Sequence, residues 1–376
     1  MHRFVIRLAV ISVVLIGSAA QPAAWAGSTL PAAAAPRVPR DQASLAGVSC
    51  RGSNWCMAVG TYTAKSKVHA LAQVWNGSKW RLVAKVPGTE LSSVSCLTDS
   101  FCFAAGGPTG AEQWNGRAWR TVNLGKPDGG LTGITCGSRT SCMLIFPRLD
   151  GPEVQSWSGG TKWHVRAKAT NVCFGPDGVP CGLAQVSCGS STNCVAVGAT
   201  QYKFSSDQKP SSVVWNGKSW AFSQPPDVGD PAAMNAVSCT GQFCLAVGGA
   251  DADFLQGPIA TAATWNAATR TWTDVSPDLG QICRQAAACV WASLVSCGSP
   301  TNCMALGKAG GQAWNGQDWE AAPIVPLGRM SALESVSCGV NFCMAVGRVS
   351  VSNARHSLTE SWNGIGWAVQ NPVAPF

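Results

Sequence analysis

Charge is scarce in this chain. Asp, Glu, Lys and Arg together make up 12% of 376 residues, and there are two Tyr and four His. Hydrophobic residues reach 46%, so low charge here does not mean a disordered, polar chain. Apolar positions come in short runs broken by Gly, Pro, Ser and Asn, and no long stretch of the mature chain keeps a 3.6-residue period. That excludes a helical bundle and leaves an all-β reading. No P-loop, HExxH, nucleophile elbow or dinucleotide fingerprint occurs. The basic residues are scattered rather than clustered, which argues against a nucleic-acid partner.

Cysteine is abundant, with 18 residues. The N-terminus carries Arg3 and Arg7 ahead of the apolar run from Leu8 to Ile16, and Ala24-Trp25-Ala26 offers a small-x-small cleavage site. Residues 1–26 therefore read as an export signal, too short in its apolar part to span a membrane, so no span is expected after cleavage. Residues 27–43, rich in Ala and Pro, read as a disordered leader before one domain over 44–376. In an exported chain, an even number of Cys points to disulfides. Seven pairs recur at regular intervals: Cys50 with Cys56, Cys96 with Cys102, Cys136 with Cys142, Cys188 with Cys194, Cys239 with Cys244, Cys297 with Cys303, and Cys338 with Cys343. Cys173 with Cys181 and Cys283 with Cys289 make two more. The spacing is too wide for zinc knuckles, so no metal or other cofactor is expected.

The most frequent local motif is Trp-Asn-Gly-x-x-Trp. It appears at Trp75–Trp80, Trp114–Trp119, Trp215–Trp220, Trp314–Trp319 and Trp362–Trp367, with looser copies at Trp157–Trp163 and Trp265–Trp272. Asn-Gly is a strong hairpin signal because both residues tolerate the positive φ of a primed turn. A two-residue turn would set the indoles diagonally, and a four-residue turn would set them opposite one another. On either register they share a face and can touch.

Around this motif each unit repeats one order. A strand ends in Ser or Thr followed by Cys, a short turn follows, and a second strand runs from the next Cys to a Gly. A variable loop then leads to a third strand, the Asn-Gly turn and a fourth strand. Seven such units of about 45 residues predict a seven-bladed β-propeller of four-stranded antiparallel blades, each with one disulfide. The first unit already starts with its own first strand, so the ring should close by packing of the first blade on the last without a borrowed strand. A hydroxyl precedes the first Cys of every unit: Ser49, Ser95, Thr135, Ser187, Ser238, Ser296 and Ser337. Strand alternation turns it away from the Cys, and a hydrogen bond to the neighbouring blade is the expected use. The paired Trp, present in every unit, are expected to pack blade on blade.

This order resembles the kelch repeat of galactose-oxidase-like propellers, and its layout is also similar to that of secreted propeller lectins. The likeness covers the mature chain, but Gly-Gly is confined to Gly106-Gly107 and Gly248-Gly249, Trp stands for the usual Tyr, and a disulfide in every blade lies outside the kelch pattern. No copper-ligand motif is present to carry over.

Alternation places the Cys turns and Asn-Gly turns on one face of the ring, and the longer loops on the other. Elaboration is greatest in the second-to-third-strand loops of units four and five and in the connections entering unit four (Cys173 to Cys181) and unit six (Cys283 to Cys289), where Tyr202, Phe204, Asp251, Asp253, Phe254 and the off-pattern Trp291 offer aromatic and carboxylate contacts. Units two and six have minimal loops. Trp55 is a second off-pattern indole expected to be exposed, and His69, His164 and His356 are expected at the surface. The expected function is a secreted, monomeric, non-catalytic scaffold that recognises an extracellular glycan or protein through the loops of blades 4–6. A propeller-type polysaccharide hydrolase or lyase is the alternative.

Overall fold

The computed structural model describes residues 42–107, 110–122, 131, 133–146, 153–159, 163–168, 173, 181–201, 208–227, 232–251, 258–277, 292–307, 310–325, 331–351 and 354–372. The expected signal peptide and nearly all of the leader lie outside these residues. So does the expected pairing of Cys283 with Cys289. Among the described residues, strands β1–β28 form seven four-stranded antiparallel sheets. In each sheet the four strands follow chain order, as in β1 (Gln42–Cys50), β2 (Cys56–Ala64), β3 (Lys67–Trp75) and β4 (Trp80–Leu82). The fold is the seven-bladed propeller read from the repeat. Its first strand begins two residues early, at Gln42, and buries Ala43.

The Asn-Gly turns hold four residues, because Trp75 pairs directly with Trp80, and the same register recurs in the other tight copies. The conformation differs from the primed turn expected. Gly77 has φ +92°, whereas Asn76 is absent from the left-handed region. Asn76 contributes its side chain instead: Oδ1 accepts from the N–H of Ser78 (3.2 Å) and of Lys79 (3.0 Å). Asn115, Asn216, Asn315 and Asn363 repeat both bonds. Asn is chosen for its acceptor and Gly for its φ.

The indoles then lie 5.4–5.9 Å apart in six blades, tilted by about 50°. The first indole of four blades ties the two turns together, as where Trp75 Nε1 donates to Ser53 O at 2.9 Å. The pair also packs on the preceding blade: Trp114 and Trp119 sit with Met57 and Val59, and Trp75 and Trp80 with Met344 and Val346 of the last blade. In blade 3, Trp157 and Trp163 both pack on Phe103 of blade 2. Twelve of the fourteen motif Trp are buried in the core, as expected, and Trp272 and Trp362 are half-buried against it.

Each blade carries its disulfide across the first hairpin, and the pairing is the one read from the repeat. Cys50 is bonded to Cys56, Cys96 to Cys102, Cys136 to Cys142 and Cys188 to Cys194. Cys239 is bonded to Cys244, Cys297 to Cys303 and Cys338 to Cys343. The Cα atoms of each pair stand 3.9–4.0 Å apart, because the two Cys are direct cross-strand partners. A ring this small adds about 2–3 kcal/mol in the chain-entropy account.

The first Cys of each pair is also anchored sideways. Its N–H donates to the hydroxyl of the preceding blade: Cys96 to Ser49, Cys136 to Ser95, Cys188 to Thr135, Cys239 to Ser187, Cys297 to Ser238 and Cys338 to Ser296, at 2.8–3.0 Å. Cys50 donates to Ser337 at 2.8 Å and completes the circle. The last blade is built from β25 (Ser331–Gly339), β26 (Phe342–Val351), β27 (Ala354–Trp362) and β28 (Trp367–Gln370), without help from blade 1. Closure is therefore by packing and hydrogen bonds, as the repeat order implied.

The Gly four residues after the second Cys, which the second strand passes through rather than ends on in blades 1, 4, 5 and 7, has a steric reason. The first strand bulges between Leu45 and Gly47, and equivalently in blades 4 to 7, which drives its backbone toward the partner strand. A Cβ on Gly60 would lie 2.0 Å from Ser44 O, and on Gly198 1.8 Å from Gly182 O.

Candidate functional site

The loop face is where blades differ. From its Cys, the second strand runs eight residues to Ala64 in blade 1 and eight to Val351 in blade 7. It runs seven to Gln201 in blade 4 and to Asp251 in blade 5. In blades 2, 3 and 6 it stops after four, at Gly106, Phe146 and Gly307. At roughly 3.3 Å per residue, the longer ladders rise about 10–13 Å above the shorter ones. Blades 4 and 5 are neighbours, and so are blades 7 and 1. Among the described residues, two pairs of long ladders therefore stand on opposite sides of the ring, with shorter ladders in blades 2, 3 and 6.

The expected contact residues belong to the blade 4–5 pair, apart from Trp291, which directly precedes the first strand of blade 6. Gln201 pairs with Gln208, so Tyr202 and Phe204 lie in the segment joining two described strand ends. Asp251 ends its strand opposite Pro258, and Asp253 and Phe254 follow it. Tyr202, Phe204, Asp253, Phe254 and Trp291 lie outside the described residues, as does the side chain of Asp251. The structure adds a brace beneath them. Cys173 and Cys181 form the expected disulfide, but it is buried in the core under blade 4, and Thr200 Oγ1 donates to Cys181 Sγ at 3.2 Å. The bridge itself is buried beneath the wall, and the residues it encloses, 174–180, lie outside the described residues.

The opposite wall was not anticipated, although its signal was in the spacing: 14 residues separate Gly60 from Trp75. Its blade 1 hairpin closes on Lys65 and Ser66, both at positive φ (50° and 62°), which is the primed turn that the Asn-Gly motif does not make. Below it Tyr62 stacks on His69, ring centroids 5.0 Å apart, with both side chains half-exposed. On blade 7, Arg348 pairs with Glu334 at 3.3 Å. His356 differs from expectation: it is buried, and burial holds its imidazole below the ordinary value. Trp55 is half-buried against the blade 1–2 core rather than exposed.

Sequence reasoning also missed three buried carboxyls, those of Glu112, Glu153 and Glu360. Glu112 and Glu360 stand two residues before the first Trp of blades 2 and 7, a position held by Gln73 and Gln155 elsewhere. Burial raises both above the carboxylate range, opposed by Thr121 Oγ1 donating to Glu112 and by the Val325 N–H donating to Glu360. They belong to two separate, non-adjacent blades and do not form an acid–base pair. Among the described residues, no three His, Cys, Asp or Glu come together in a metal-binding arrangement.

No family model and no curated protein sequence matches the chain. Solved structures share the fold at low identity. The propeller domain of the trilobed protease from Pyrococcus furiosus, described as having an open velcro topology, is 8% identical with a TM-score of 0.52, over 89% of this chain and all of that one. YCF48 bound to a D1 peptide is 14% identical with a TM-score of 0.51, over 90% of this chain and 96% of that one. The GH74 enzyme of Niastella koreensis is 12% identical with a TM-score of 0.55, over 88% of this chain and 54% of that one. These likenesses establish the propeller and do not single out the kelch layout within it.

Proposed function

We propose that the protein is an exported recognition scaffold that holds an extracellular glycan or an extended protein segment along its loop face. The observation carrying this reading is the unequal height of the blades. A rigid ring whose described strand ladders are long on two sides and short between them suits an elongated ligand lying across it, and binding residues favour such projecting segments. Tyr202, Phe204, Asp251, Asp253, Phe254 and Trp291 are the contacts proposed on one side, with Tyr62 and His69 on the other. Export rests on Arg3, Arg7, the apolar run after them and the disulfide in each blade. One neighbour is a ring bound to a peptide and another is a glycoside hydrolase, so fold alone does not choose between binding and turnover.

The test is a glycan array and a cell-wall pull-down with the oxidised mature chain, beside a double variant carrying Tyr202→Ala and Phe204→Ala. Saturable binding without product release, lost in the variant, supports the reading. Product release that Asp251→Asn or Asp253→Asn abolishes would replace it with the hydrolase or lyase alternative. Binding to neither glycan nor wall would remove the glycan and turn the search to protein partners.

A further inference from the structure

The opposite face, formed by the Cys turns and Trp-Asn-Gly turns, has a charge and an apolar character that loop-face recognition does not use. Among the described residues, its turns expose six basic side chains: Arg51, Lys79, Arg117, Arg139, Lys218 and Arg270. They expose two acids, Asp99 and Asp318. Glu320, at the rim, accepts from Asn315 Nδ2 at 3.2 Å. The basic residues run round blades 1 to 5. The two ion pairs seen among the described residues, Lys209–Asp227 and Arg348–Glu334, lie toward the loop side instead.

Blade 6 carries Asp318 and Glu320, and blade 7, beyond it, has apolar tips. Ile365 in its Asn-Gly turn is 89% exposed and Val340 in its Cys turn is 72% exposed. The next large apolar side chain, Val68, is 50% exposed. The two turns are neighbours, since a Cβ on Gly364 would stand 3.9 Å from Asn341 O. Nothing in the blade requires an isoleucine there: the same turn position carries Ser78, Arg117, Lys218 or Gln317 in other blades.

We propose that this face docks on an anionic phospholipid bilayer, with the basic turns facing the headgroups and Ile365 and Val340 entering the interface. Charge alone would fit any polyanion. The protruding apolar pair at one edge of a basic, level face is what favours lipid. The Asx bonds fix the turn backbone at Lys79, Arg117 and Lys218, so the turns themselves lose little order on docking. Among the described residues no helix is long and apolar enough to cross a membrane. The loop face would then point away from it.

The experiment is flotation of the oxidised mature chain with phosphatidylcholine vesicles, with and without phosphatidylglycerol. The expected result is binding that needs phosphatidylglycerol and weakens with salt. Combining Lys79→Glu, Arg117→Glu and Lys218→Glu should lower affinity by more than about a hundredfold, at roughly fivefold per basic residue near an anionic surface. Combining Val340→Ser and Ile365→Ser should lower it by about tenfold or more, through lost apolar burial, while the fold is unchanged by circular dichroism. Absence of flotation at low salt would overturn the proposal. So would binding that dextran sulfate reproduces and that the Val340→Ser and Ile365→Ser pair leaves untouched, since that is capture of a soluble polyanion.

Discussion

The Cys50 N–H donates to Ser337 Oγ across 287 positions of sequence at 2.8 Å, and the same bond joins each other blade to the next. The seam between the last blade and the first is thus made like the other six joints. Ser337→Ala would leave a partly buried N–H without its acceptor and should cost about 1–3 kcal/mol. Thermal unfolding checks this. Ser337→Thr, with the hydroxyl that Thr135 already supplies in blade 3, should restore the parent midpoint.

Gly198→Ala should be among the most damaging single-methyl changes available. The new carbon would meet Gly182 O at 1.8 Å, which is backbone against backbone, so the bulge itself must move. A loss above about 3 kcal/mol, or failure to fold, is expected. Gly366→Ala meets nothing within 4 Å and serves as the control. Chemical denaturation of both variants decides the matter.

The blade 1 hairpin should accept a better turn. Lys65 and Ser66 hold positive φ without the residue types that favour it. Lys65→Asn together with Ser66→Gly should therefore stabilise the protein by about 0.5–1 kcal/mol, provided the raised wall is built as described. A lower midpoint would show that this turn is held differently.

Burial raises the carboxyls of Glu112 and Glu360, so the folded state prefers them protonated. Their stabilising contribution is fully present below the ordinary value of 4.5 and is lost as pH climbs through the raised folded value. Glu112→Gln and Glu360→Gln should each be more stable than the parent at neutral pH, with the advantage shrinking toward pH 4. His356 works in the other direction: its lowered value favours the neutral ring, so its contribution falls as the solution is acidified through the ordinary histidine range. Unfolding midpoints of the variants against pH separate the two effects.

The ring is legible in the sequence because its devices repeat. Trp-Asn-Gly-x-x-Trp, the Cys pairs and the hydroxyl before each first Cys recur in register, and each stands for a contact that every blade needs. What repeats poorly is harder to read. Asn76-Gly77 reads as a primed turn, since the dipeptide does not say whether Asn supplies its backbone φ or its side-chain oxygen. The primed turn sits instead at Lys65-Ser66, which carries no turn signature. Glu112 and Glu360 look like outward residues of an alternating strand, but both faces of a blade are covered by neighbours, so alternation does not mark solvent. The wall on blades 7 and 1 is written in strand length, whereas the chemistry-bearing residues of blades 4–6 point elsewhere.

A joint that is the same at every position has no preferred starting point. Each blade offers a donor on one side and an acceptor on the other, so the number of blades is set by the angle at which neighbours pack and not by any terminating contact. One blade sequence repeated seven times should close on itself, and a chain opened between any two blades, with its ends joined across the present seam, should fold to the same circle.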